Sequence, residues 1–232
     1  MKIIGTLAAA VLSLFMQYGT SVETRFDPTT TWPYIYEDFS PGSVFAENGN
    51  TIEYNLLNVN LVNNTLHYVK DGIIMQVDMK TVYVVRIKEQ VYLNVQGELM
   101  EVINETENGA VVLHKEIDKD KMSRANIGYG TSPVASTQNI GLFALEGSLG
   151  GLNKSLSASE KDKFSGDNLE LKKTTYLVVD GLLVPANKKE ILSDGRFDTK
   201  QTENFFKTHK VKWNKTEDLS SLVEFLHTVK AN

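Results

Sequence analysis

The chain contains no cysteine. Disulfides, thiolate metal sites and a cysteine nucleophile are therefore excluded, as is the usual cysteine-borne lipid of bacterial envelope proteins. An exported eukaryotic domain of this size would usually carry disulfides, so a cysteine-free chain fits a bacterial periplasm or cell surface better. Beyond the N-terminal residues there is no apolar run long enough to cross a bilayer as a helix, which takes roughly 20 residues. A cluster of basic residues is missing too. The formal net charge is −5, and without a positive footprint for phosphates a nucleic-acid partner is not expected.

Catalytic patterns are equally scarce. The four histidines, His67, His114, His209 and His227, form no H-x-x-x-H or H-x-H pair and no zinc-protease motif. His67 and His114 fall on separate strands and are expected to face solvent. The stretch "EGSLGG" at 146–151 lacks the G-x-S-x-G of a serine-hydrolase elbow. Asp118 and Asp120 in "DKDK" lack the further oxygen ligands and the glycine of a calcium loop. There is no phosphate-binding glycine loop and no dinucleotide fingerprint, and no metal or cofactor is expected. Glu37 and Asp38 are adjacent, so on an extended chain they point to opposite sides. A glycosidase needs two carboxylates about 5–9 Å apart across a cleft, and only the fold can supply that.

What is present begins with "MKIIGTLAAAVLSLFMQYGTS". One positive charge at Lys2, an apolar run from Ile3 to Met16 and a short polar tail follow the order of a secretory signal. Gly19 and Ser21 supply small residues for cleavage before Val22, so residues 1–21 are expected to be removed. The remainder, 22–232, is expected to be a single α+β domain, since about 210 residues can bury a substantial core. Losing Lys2 takes its formal charge to −6. Four N-x-S/T triplets, at Asn63, Asn104, Asn153 and Asn214, are read as chance matches in a chain rich in Asn, Ser and Thr.

From 22 to 50 the chain is rich in Thr, Pro and aromatics, with Pro28, Pro33 and Pro41 breaking any helix and Asn48-Gly49-Asn50 marking a turn. Trp32, Tyr34, Tyr36 and Phe39 are expected to cap one end of a sheet. A sharper possibility is an aromatic binding surface, for which Trp32, Tyr34, Tyr36 and Tyr129 are the candidates. Residues 50–117 then alternate with period two: "TIEYNLL", "TLHYV", "IIMQVDM", "VYLNV", "ELMEVI" and "AVVLHKEI" are separated by tight turns such as Lys70-Asp71-Gly72. "TVYVVRI" is apolar on both faces, as a covered central strand would be. About six strands joined so closely pair antiparallel as a β-meander.

Residues 118–168, rich in Gly, Ser, Asn and Lys, read as one long irregular segment. Such segments inside compact domains are usually functional or disordered. Residues 169–232 regain order. "TTYLVVDGLLVPA" reads as a hairpin through Asp180-Gly181. Asn187 is placed to cap a short helix, Asp198 with Gln201 resembles a capping box, and Thr216 is placed to cap the last helix. That helix carries the apolar stripe Leu219, Leu222, Val223, Leu226 and Val229. A C-terminal helical hairpin packed on the sheet is the expected arrangement.

Three segments, "IGYGTSPVASTQ" (127–138), "LKKTTYLVVDGLLVPANKKEIL" (171–192) and "VKWNKTEDLSSLVEFL" (211–226), together with the signal and the strand-rich front half, resemble exported proteins of unknown function common in Bacteroidales-type Gram-negative bacteria. The resemblance spans most of the chain after the signal. It implies an envelope location, periplasmic or on the cell surface, and marks "YGTSPVASTQ" as a recurrent feature; it supplies no site residues. The expectation is a non-enzymatic envelope protein that binds a partner protein or small ligand through a sheet edge or the 118–168 segment. The alternatives are a hydrolase acting on envelope glycans or peptides, and a purely structural envelope component.

Overall fold

The period-two stretches become strands in the computed structural model, which describes residues 26–29, 31–118, 120–121, 155–161, 163–164 and 168–230. The expected signal, Tyr129 and most of the 118–168 segment lie outside the described residues. Within them the chain forms ten strands rather than about six: β1 (Ser40–Ala46), β2 (Thr51–Asn60), β3 (Thr65–Lys70), β4 (Ile73–Gln76), β5 (Val82–Ile87), β6 (Gln90–Val95), β7 (Glu98–Thr106), β8 (Gly109–Ile117), β9 (Leu171–Val179) and β10 (Leu182–Pro185). The described helices are α1 (Leu156–Glu160), α2 (Lys188–Ser193), α3 (Thr199–Thr208) and α4 (Thr216–Thr228). The chain divides into two compact units, one drawn from Met100–His114 and Thr174–Asn232, the other from Ser21–Leu99 and Lys115–Lys173.

In the second of these, the strands are ordered β6-β5-β1-β2-β3-β4, all antiparallel where they pair. The meander is thus broken once: β5 returns to pair with β1 instead of β4. β1 is the strand that local patterning hides, because Pro41 and Gly42 read as breakers. Both have a positional reason. The register shifts between Ser40 and Gly42, so Pro41 sits at an irregularity of the ladder, where a missing N–H is tolerated. A Cβ on Gly42 would lie 2.4 Å from the Arg86 carbonyl oxygen and 2.9 Å from Leu57 Cδ1, so only glycine lets β1 lie between its neighbours. β5, apolar on both faces, lies between β6 and β1 as a central strand.

Both faces of this sheet are covered. On one, Val44, Leu57, Val59, Leu66, Val85 and Ile87 pack with Tyr36 and Tyr92. On the other, Ile74 packs with Trp32, Tyr34 and Phe39, joined by the half-buried Leu56, Val69 and Leu156.

In the other unit β7, β8, β9 and β10 follow one another as a meander for most of their length. Its core joins Val111, Leu177, Val179 and Val184 to the α4 stripe, with Leu219, Leu222, Val223, Leu226 and Val229 all buried. Three helices follow β10, the short one after Asn187 among them as expected, but α3 and α4 are not clearly the helical hairpin that was expected. Asn187 caps α2 by accepting from the Lys189 N–H at 2.8 Å, and Asp198 caps α3 by accepting from Gln201 at 2.8 Å. Thr216 does not cap α4. Lys215 occupies that position without a side-chain bond, and the Asp218 carboxylate in the first turn accepts from the Lys212 N–H at 2.8 Å.

Candidate functional site

Residues 31–39 run across the end of β2 as a strap. It is held at one end by ladder-like bonds, Ile35 N–H to the Val59 carbonyl at 3.0 Å and Leu61 N–H to the Pro33 carbonyl at 2.8 Å. It then leaves the ladder before rejoining it as β1, and the buried Asn58 fills the interval. The Asn58 side-chain oxygen accepts from Tyr36 N–H (3.2 Å) and Val59 N–H (2.9 Å); its amide donates to the carbonyls of Tyr36 (2.9 Å) and Asp38 (3.4 Å). One carboxamide thereby replaces the backbone partners that the excursion gives up. The Trp32 indole N–H donates to the same Tyr36 carbonyl at 3.0 Å.

Beside this clamp lies a chain of polar side chains. The Tyr34 hydroxyl and His67 Nδ1 are 2.9 Å apart, and His67 Nε2 stands 3.4 Å from Thr65 Oγ1, which donates to Asn63 Oδ1 at 2.6 Å. Since the Thr65 proton goes to Asn63, Thr65 accepts from Nε2–H. Nδ1 is then left to accept from Tyr34, and this network assigns the tautomer. His67 is 1% exposed. Burial pushes its imidazole down to about 4, so it is neutral at pH 7. Burial also raises the Tyr34 phenol above its ordinary range, opposed by the nearby Asn60 side chain. Both groups stay uncharged and enclosed, which suits holding the strap better than acting on a substrate. On the strap's outer side Lys163 pairs with Asp38, donates to the Glu37 carbonyl at 3.3 Å, and lies 5.4 Å from the Trp32 ring.

Sequence reasoning placed several of these residues differently. Trp32, Tyr34 and Tyr36 are buried and present no exposed aromatic platform; Trp32 and Tyr34 pack with Phe39, and the Tyr36 hydroxyl meets that of Tyr92 at 2.6 Å. His67 and His114, expected to face solvent, are both buried. For His67 the reason is the strap, which covers the face that period-two alternation had left to water. His114 lies 6.4 Å from the Tyr176 ring across β8 and β9. Asn58, Asn60 and Thr65 were missed. The signal was present in "NVNLVNN", too rich in asparagine for an ordinary strand end unless the side chains serve the backbone.

In the other unit, Asp180 at the β9–β10 turn gathers side chains from the end of α4 and just beyond it: His227 Nδ1 at 2.7 Å and Lys230 Nζ at 2.8 Å. Glu224 accepts from the Asn108 backbone at 3.1 Å and its side chain at 2.6 Å. Against the upward pull of burial, the two hydrogen bonds from Asn108 and the nearby His227 hold this carboxylate below its ordinary range. The cluster ties α4 to two turns. Asp118 accepts from Lys121 N–H at 2.9 Å, and among the described residues no three His, Cys, Asp or Glu side chains are grouped to hold a metal ion. Nor is any described helix long and apolar enough to cross a membrane.

The terminal strands of the two units differ. On β10, Leu183 turns its carbonyl away from β9, and the Arg196 guanidinium, itself held by Asp194, donates to it at 3.0 Å. Pro185 ends the strand without an N–H. That edge is closed by a charge and a proline, the usual devices against strand pairing. On β4 the two-residue turn Asp71-Gly72 makes Lys70 and Ile73 a hydrogen-bonded pair, so Ile74 and Gln76 direct their backbone groups away from β3. Ile73 (38%) and Met75 (36%) are exposed. One extended residue already sits on this edge: Ser155 pairs antiparallel with Ile73, and Leu156 N–H donates to the Gly72 carbonyl at 2.9 Å. No family model, curated protein or solved structure matches the chain.

Proposed function

We propose that the chain is an exported, non-enzymatic protein of the bacterial envelope that binds an extended segment of a partner protein by strand addition to β4. The observation that carries this reading is the contrast between the two terminal strands. β10 is closed by Arg196 and Pro185, whereas β4 bears exposed Ile73 and Met75 and accepts an antiparallel backbone at Ser155. Strand addition draws affinity from backbone bonds and specificity from alternate side chains. The partner segment is therefore extended, bonds to the backbone of Ile74 and Gln76, and offers apolar residues to Ile73 and Met75. Export is supported by the order of Lys2, the apolar run from Ile3 to Met16, and Ser21 before Val22.

Native mass spectrometry of the chain purified gently from its own envelope identifies a bound partner, and amide hydrogen exchange then locates it. Protection at Ile74 and Gln76 is expected. Gln76→Pro removes an outward N–H while keeping the bonds to β3, and should abolish the complex with the far-UV circular dichroism unchanged. Protection confined to other segments, or a complex that survives Gln76→Pro, would overturn the reading.

A further inference from the structure

Tyr34, Asn58, Thr65 and Gln76 are the neighbours of the buried His67 imidazole, and none of them carries a charge that suits a cation. Asn58 stands opposite His67 on β2, Gln76 opposite it on β4, Thr65 beside it on β3, and Tyr34 reaches it from the strap. The nearby carboxylate of the strap, Asp38, is already paired with Lys163. The neutral ring accepts from Tyr34 at Nδ1 and donates at Nε2. A proton added at Nδ1 removes the only acceptor position the ring has, so Tyr34 must turn its hydroxyl to accept. Its own proton must then leave His67 for another acceptor. Charging His67 therefore reverses the bond that fixes the middle of the strap, deprives the Tyr34 proton of its acceptor, and buries an uncompensated cation under Trp32, Tyr34 and Phe39.

We propose that residues 31–39 form an acid-released cover: protonation of His67 frees the strap from the sheet face and exposes the apolar surface of Leu56, Val69 and Ile74 beneath it. The inference stands apart from strand addition at β4 and is tested without a partner. The sign follows from burial. The folded imidazole titrates near 4, below its ordinary 6.5, so the unfolded or released form binds the extra proton. Closure is then complete above about pH 6.5 and is lost as pH falls towards about 4.

Trp32 is the reporter, since its indole is 1% exposed. The chain has two tryptophans, so Trp213→Phe leaves Trp32 alone. In that background, lowering the pH from 7 to 3.5 is expected to red-shift the emission and increase acrylamide quenching several-fold, with the far-UV spectrum of the sheet retained. His67→Gln, which keeps an acceptor for Tyr34 and cannot be charged, should abolish the change or move it at least one pH unit lower. The same midpoint in His67→Gln would overturn the proposal by assigning the change to carboxylates. If that variant fails to fold, NMR titration of the parent protein decides: the His67 ring and the Trp32 indole N–H must shift together, and a His67 titration that leaves the Trp32 resonance unmoved overturns the proposal.

Discussion

A buried amide is tolerated only when its polar atoms are satisfied, and Asn58 satisfies all of them by standing in for backbone. Its oxygen takes two N–H groups and its amide serves two carbonyls across the Tyr36–Asp38 excursion. Asn58→Ala would leave those groups unpaired in a dry interior. A loss of roughly 2–4 kcal/mol is expected from one to two unsatisfied buried groups, read as a lower urea midpoint with unchanged slope. A cost under half a kcal/mol would mean that water reaches the strap. Gly42 is constrained in a different way, by an approach of backbone to backbone that no side chain fits. Both residues were visible in the sequence as oddities: an asparagine in a strand, and a glycine beside a proline. Their reasons are contacts with residues far along the chain.

At the scale of elements, turns and caps were the most legible features. Asp71-Gly72 and Asp180-Gly181 take left-handed backbone conformations at both residues, and Asn187 and Asp198 cap the helices they precede. Each depends on a few neighbouring residues, so local chemistry is enough. The α4 stripe was legible for the same reason, since helical spacing alone puts its five residues on one side. The fate of strand edges was not legible, because it depends on which strand ends a sheet. Arg196 closes β10 through the Leu183 carbonyl. Arg196→Ala is expected to open that edge at a modest cost in stability, because the Arg196 side chain is 41% exposed although that of Asp194 is 16% exposed. The check is sedimentation across a concentration series: the variant should self-associate more strongly than the parent protein, and an unchanged profile would show that Pro185 alone suffices.

For the whole molecule, the segments at the margins carry the proposed destination. If residues 1–21 act as a secretory signal, the chain recovered from a Gram-negative envelope begins at Val22, which N-terminal sequencing tests directly; a retained Met1 would remove the argument for export. Composition already limits what the protein does elsewhere. Without cysteine the chain has no thiolate chemistry.

The sequence by itself determined the strand-rich character, most turns, the caps at Asn187 and Asp198 and the apolar stripe of α4, because each is written in residues within a few positions of one another. Tertiary structure alone decided that β5 pairs with β1, that β1 exists despite Pro41 and Gly42, and that the second face of β3 is covered by the strap. It also decided that His67 is a buried acceptor instead of a solvated surface residue. Those outcomes depend on pairings tens of residues apart, which period and propensity do not encode: alternation says that two faces differ, and only packing says whether water or protein lies against each.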